Sequence, residues 1–184
     1  MKKISLTVAI LLLAGVVVWL LSRPESAPQE MPEMIRFDKH SVDLISLAGG
    51  EVEEIQLHRS ENIWLMKGGE RADIDAVEHL LGDLAGMEIV RVVTRNPDHY
   101  KRLGIGDGSV RVTLSVSGIE LLHVEIGRQG KDLLSTYLRI GDSPEILAVN
   151  KSLLWQVRRA RDSWQTVEPQ SAKKELPDNR TSNE

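Results

Sequence analysis

The stretch VRVTLSVSGIELLHVEIG, residues 110–127, sets the fold class. Val110 to Val116 alternates apolar and polar side chains, Ser117-Gly118 interrupts it, and Leu121 to Gly127 resumes the pattern. A period of two, broken by a short turn ending in glycine, is the mark of an antiparallel hairpin.

Nearer the N-terminus, residues 52–59 (VEEIQLHR) set Val52, Ile55 and Leu57 among polar neighbours, and Ser60-Glu61-Asn62 turns them into residues 62–67 (NIWLMK). Gly68-Gly69 ends that second hairpin. Glu88 to Thr94, Thr136–Ile140 and Ile146–Val149 read as further strands, which makes seven or eight from Ile35 onward. Three segments have the 3.6-residue period of helices. Asp73 is placed to cap a helix from Ile74 to Met87, with Ile74, Val77, Leu80, Leu81, Leu84 and Met87 on one face. Asn96-Pro97 starts a short one that Gly104 ends after Leu103. Asn150 is expected to cap the last, Lys151 to Trp164, whose buried stripe is Leu153, Val157, Ala160 and Trp164. Hairpins without strand–helix–strand alternation predict an α+β fold: a mostly antiparallel sheet with two or three helices packed on one face. Both halves run strands-then-helix, a weak hint of internal duplication.

The chain ahead of this domain has a different character. Ile4 to Leu21 are 18 consecutive positions without a charge, about 27 Å as a helix against the ~30 Å hydrocarbon core of a bilayer. Lys2 and Lys3 precede the run and only Arg23 stands close behind it, which keeps the N-terminus cytoplasmic and exports the chain beyond Leu21. A cleavable signal would be shorter and end at a small-x-small site; before Ala27 stands Glu25, so an uncleaved anchor is preferred. The expected organisation is a transmembrane helix at 1–21, a Pro-rich linker at 22–34, an extracytoplasmic α+β domain at 35–165 and a disordered polar tail at 166–184. This places the chain in a membrane, single-pass, with its N-terminus cytoplasmic and its C-terminal domain extracytoplasmic.

Composition narrows the chemistry. The chain has no cysteine, so disulfides, thiolate metal sites and cysteine nucleophiles are excluded. Its net charge of -4 argues against nucleic acid as a partner. Without Lys2 and Lys3 the balance is 21 basic against 27 acidic residues, so an anionic lipid surface is an unfavourable partner for the exported domain as a whole. Gly104-Ile-Gly106-Asp-Gly108 invites a phosphate-loop reading, but it comes after a helix and before a strand, the reverse of the order such loops need. The five histidines are never closer than 18 residues, so no ligand spacing for a metal exists. His79 lies between Asp75 and Asp83 at helical steps of four, a solvated ion-pair ladder. No cofactor and no catalytic residue are expected.

One surface feature stands out. On the last predicted helix Trp155 points away from the buried stripe and shares its side with Lys151, Arg158 and Arg159. An exposed Trp flanked by Arg has the composition of protein-contact hot spots. The competing reading packs Trp155 under a strand, or stacks it on an arginine of its own helix.

The order of motifs also resembles a known family. Asn62-Ile-Trp64-Leu leads to the Asp73–Ala85 helix, then Arg-Val-Val-Thr (91–94), a short helix ending Leu103-Gly104-Ile105, the alternating strand Val110 to Val116, an Ile126-Gly127 turn, Tyr137-Leu-Arg, the strand near Ile146–Val149 and a closing Leu-rich helix. Over roughly residues 50–164 this is similar to the bacterial domain-of-unknown-function family numbered 4340, single-pass proteins with this domain outside the membrane. Gly106-Asp107-Gly108 stands where that family usually has a proline, and the chain would be a single-copy member. The resemblance implies association with ABC-type transport and gliding-motility gene neighbourhoods, and supplies no catalytic residues. The expectation is a non-enzymatic accessory or scaffolding protein of an envelope assembly, held in the membrane by residues 4–21 and binding a protein partner. The alternative is a periplasmic enzyme, or a ligand- or glycan-binding module, that uses the sheet surface.

Overall fold

A computed structural model describes residues 36–166 of the chain. The expected membrane helix and linker, and residues 167–184 of the expected tail, lie outside the described residues. Among those described, no helix is long and apolar enough to cross a membrane.

Eight strands form one sheet: β1 (Leu44–Ala48), β2 (Ile55–Ser60), β3 (Ile63–Met66), β4 (Ile89–Thr94), β5 (Val110–Val116), β6 (Ile119–Gln129), β7 (Thr136–Ile140) and β8 (Ile146–Val149). Their order is β3-β2-β1-β5-β6-β7-β8-β4, and each neighbouring pair is antiparallel. The α+β class and the antiparallel sheet are therefore as the sequence pattern implies. In the β5–β6 hairpin Val116 pairs with Ile119 across Ser117 and Gly118, both at positive φ. That two-residue turn twists with its strands. It starts β6 two residues earlier than the alternation suggests. Val110, Val112 and Leu114 of β5 and Leu122, Val124 and Ile126 of β6 are buried on one face.

Three helices accompany the sheet: α1 (Ile74–Ala85), α2 (Tyr100–Leu103) and α3 (Leu154–Val157). Asp73 caps α1, its carboxylate accepting the N–H groups of Asp75 at 3.0 Å and Ala76 at 3.4 Å. Ala76, Val77, Leu80, Leu81 and Leu84 bury the helix against the front of the sheet, in the main core. Ile74, expected on that face, is 51% exposed and instead borders a shallow groove beside Ile63 and Thr166. Met87 is buried, but past the end of the helix at Gly86.

α2 corrects the expectation that the helices share one face. Asn96 and Pro97 open a 3-10 turn that runs into α2, and Gly104 ends it in the left-handed region at φ 77°. Leu103 and Ile105 form a second, smaller cluster with Ile146, packed by Val93, Tyr100 and Tyr137. The strand neighbours of those residues, Val92, Leu138 and Leu147, belong to the main core. Side chains alternate across a strand, so α2 lies on the rear. Gly127 of β6 makes room for it: a methyl group there would run into the Leu103 carbonyl oxygen.

The last segment differs most from the sequence pattern. A helix from Lys151 to Trp164 does not form; α3 has four residues, Ala160 is extended, and Arg161–Trp164 is a 3-10 turn. Nor does Asn150 cap it. Its side chain accepts the Glu88 N–H at 2.8 Å and donates to the Glu88 carboxylate at 3.0 Å, joining the end of β8 to the start of β4. Tertiary contacts override the helical period here. A straight 14-residue helix would carry its end about 21 Å away, whereas the break returns Trp164 to the core, fully buried, with its carbonyl accepting the Asp73 N–H at 2.8 Å. Gln165 then pairs with Ala72, and the Thr166 N–H reaches the Arg71 carbonyl at 3.0 Å. Residues 70–72 themselves line the free side of β3, where the Trp64 carbonyl and the Met66 N–H find partners in Ala72 and Glu70 at 2.8 Å. With no second long covering helix, the idea of two equivalent halves falls.

Trp164 fixes this closing segment through its indole. Its Nε1 and the Gln156 Oε1 are buried without hydrogen-bond partners among the described residues, which offsets part of the gain from burying the ring. Trp164→Ala is expected to cost about 3–5 kcal/mol, read as a lower urea midpoint. Trp164→Phe, which keeps the ring contacts and removes the unpaired N–H, should recover most of that loss.

Candidate functional site

The sequence-predicted patch is only partly assembled. Trp155 is 53% exposed. The Arg159 guanidinium lies 5.2 Å from its ring and the same distance from that of buried Trp164, so the arginine bridges a surface indole and a core one. The His79 ring of α1 meets Trp155 edge-on at 5.8 Å. Asp83, one turn along α1, gathers the rest: Lys151 Nζ at 3.1 Å, Gln156 Nε2 at 2.6 Å and His79 Nε2 at 3.5 Å. Arg158 leaves the group and donates to the Gly108 carbonyl at 3.1 Å. The ring thus stacks on an arginine of its own segment and still presents half its surface.

The Gly104–Gly108 run ends α2 and turns into β5, with the Ser109 N–H bonded to the Gly106 carbonyl at 2.9 Å. Beside it a groove of about 520 Å³ is bordered by Tyr100, Lys101, Arg128 and Arg158. Among the described residues no group of three His, Asp or Glu side chains gathers at metal-binding distance.

A larger feature has no counterpart in the sequence motifs. On the rear of the sheet a cleft of about 680 Å³ is lined by Arg91 of β4, Arg102 of α2, Arg128 of β6, Tyr137 of β7, and Lys131 and Asp132 of the loop between β6 and β7. None of the four cations forms an ion pair among the described residues. They come from two strands, a helix and a loop and lie up to 40 positions apart, so no local motif announces them.

One wall of the cleft is the β6–β7 loop, which is pinned. Asp132 Oδ1 accepts the Leu134 and Ser135 N–H groups at 3.1 and 2.9 Å and the Ser135 hydroxyl at 2.8 Å. The Gln129 side chain donates to the Leu133 carbonyl. This holds Leu133, at φ 61°, and Leu134 in water, 68% and 74% exposed. The hydrogen bonds from Ser135, first its N–H and then its hydroxyl, hold the Asp132 carboxyl below its ordinary pKa.

The family model described as Domain of unknown function (DUF4340) matches residues 64–171. The chain belongs to this family. No curated protein and no solved structure matches it. The family match runs from β3 to beyond the last described residue, and so includes both the Trp155 surface and the rear cleft.

The lowered Asp132 pKa has a definite sign. The ionised carboxylate accepts the loop's donors, so its contribution is present above the ordinary aspartate pKa and is lost as pH falls through the lowered one. The Leu134 and Ser135 amides should therefore show slowed hydrogen exchange at neutral pH, relative to their intrinsic rates, and lose that protection on strong acidification. Asp132→Ala should lose it at neutral pH as well.

Proposed function

We propose that the chain is a non-enzymatic, membrane-anchored accessory protein of a bacterial envelope assembly, in which the α+β domain captures a protein partner. The observation that carries this reading is Trp155. A large aromatic ring costs free energy in water, and here it is oriented by Arg159 and His79 rather than folded away. A half-exposed Trp beside Arg is the usual composition of an interface hot spot, and contacts that orient the ring before binding reduce the side-chain freedom lost on binding. Anchoring through residues 4–21, with the N-terminus cytoplasmic and the domain periplasmic, is supported by the uncharged 18-residue run behind Lys2-Lys3. A role beside ABC-type transport or gliding-type machinery rests on family membership alone.

A second reading, a module that binds a ligand on the sheet surface, is favoured by the rear cleft, whose four cations form no ion pair among the described residues.

Crosslinking in native membranes and subsequent affinity capture test the first reading. The intact chain should recover a defined protein partner, and Trp155→Ala should weaken that capture about 30-fold, the equivalent of a ~2 kcal/mol hot spot. The same substitution should leave the urea midpoint nearly unchanged. Equal capture by both chains, or unfolding of the variant, would remove Trp155 as the partner anchor.

A further inference from the structure

The rear cleft and its loop have a combination of features that the accessory reading does not use. The described residues carry 17 basic and 20 acidic side chains, a net charge of -3. Yet the cleft sets Arg91, Arg102, Arg128 and Lys131 against one carboxylate, Asp132. Asp132 Oδ1 is engaged by its own loop's N–H and hydroxyl donors, and a single carboxylate leaves three of the four positive charges unbalanced. Four cations against one carboxylate give the cleft a local field opposite in sign to the net charge of the domain. Guanidinium groups match the geometry of phosphate oxygens.

Beside these charges stand Leu133 and Leu134. They are the most exposed large apolar side chains of the loop that forms the cleft wall, and the Asp132 and Gln129 hydrogen bonds prevent the loop from tucking them in. Leu133 holds a left-handed conformation that a non-glycine residue adopts only at a cost, so the surroundings enforce its outward placement. A free phosphate would use the cations and ignore the leucines. A protein partner would more often meet a broad surface than a two-leucine loop tip beside a cationic cleft. A bilayer uses both: its phosphates meet Lys and Arg while an apolar tip enters the acyl boundary.

We propose that the loop 130–135 and the cleft behind it dock onto an anionic phospholipid surface. Leu133 and Leu134 enter the interface, and Arg91, Arg102, Arg128 and Lys131 take the lipid phosphates. The acidity of the whole domain then works with this patch rather than against it, because repulsion elsewhere leaves one orientation favourable.

The natural absence of cysteine makes the test direct. Leu134→Cys in the full-length chain gives one thiol for an environment-sensitive fluorophore, and Ile119→Cys gives a control beside Glu120 at the exposed β5–β6 turn. Both labelled chains are reconstituted into vesicles of phosphatidylcholine, alone or mixed with phosphatidylglycerol. The probe at 134 should shift to the blue and be quenched by acyl-chain spin-labelled lipid only where phosphatidylglycerol is present, and added salt should weaken the signal. The probe at 119 should stay in water throughout. Adding Arg128→Glu and Lys131→Glu should reduce the inserted fraction of the probe at 134, read by its blue shift and quenching, at least about tenfold. Lys131→Glu alone, at an exposed loop position, repeats the test if the double variant melts early. A probe at 134 that stays in water on both vesicles overturns the proposal, and so does equal insertion into both lipids. Saturation of the cleft by inorganic phosphate with no insertion would assign it to a free anion instead. Loss of partner capture by Trp155→Ala bears on neither outcome, so the two readings fail separately.

Discussion

Five residues, Leu44–Ala48, hydrogen-bond to both parts of the sheet at once. On one side Ile45 faces Leu57 of β2, and on the other it faces Leu114 of β5. Without β1 the β2–β3 hairpin would have no connection to the other five strands. The pairing is long-range, and its register is set by burial: Ile45 and Leu47 are fully buried, and a slip of one residue would turn both toward the opposite face. The family match begins at residue 64, so it includes β3 but not the two strands that connect β3 to the sheet. Residues 36–63 are thus as much a part of the folding unit as the matched region.

The two faces of the sheet divide the work. The front carries the main core, closed by α1 and by the returning Trp164, and its buried side chains leave little room for a ligand. The rear is covered only toward the β7–β8–β4 end, where α2 rests on Gly127. Cations that could not be buried on the front at tolerable cost collect on the rear. Glu125 and Arg139, paired across β6 and β7 with the carboxylate accepting from Nη2 at 2.8 Å, show how a charge there is accommodated when it has a partner. Arg91, Arg102, Arg128 and Lys131 have none among the described residues, which sets them apart from the structural ion pairs.

Elements governed by local rules were legible in the sequence. The alternation of β5, the positive-φ turn at Ser117-Gly118, the Asp73 cap, the Asn96-Pro97 start and the Gly104 stop each depend on neighbours within a few residues. What escaped depends on distant parts of the chain. β1 is short and takes its meaning from strands on either side. The closing segment has a sound helical stripe in Leu153, Val157 and Trp164, yet the pull of Trp164 toward the core and of residues 165–166 toward 71–72 breaks it. The Trp155 surface was visible as a composition, but Arg158 left it because the helix that would have aligned it ends at Val157. The rear cleft was invisible, because four single cations in ordinary positions converge only after the strands pair.

The clasp at the end of the described chain has one more consequence. β3 is the last strand of the sheet, and such strands can template pairing with a second copy. Here the Trp64 carbonyl and Met66 N–H are taken by residues 70–72, whose own outward carbonyls are taken in turn by Thr166, through its N–H and its hydroxyl. Two successive layers of backbone therefore seal the margin of the sheet, and the outer one is supplied by residues 165–166. A chain clipped just before Gln165 would keep most of its core and lose this outer layer, so proteolysis near this point would open the margin of the sheet to pairing with a second copy.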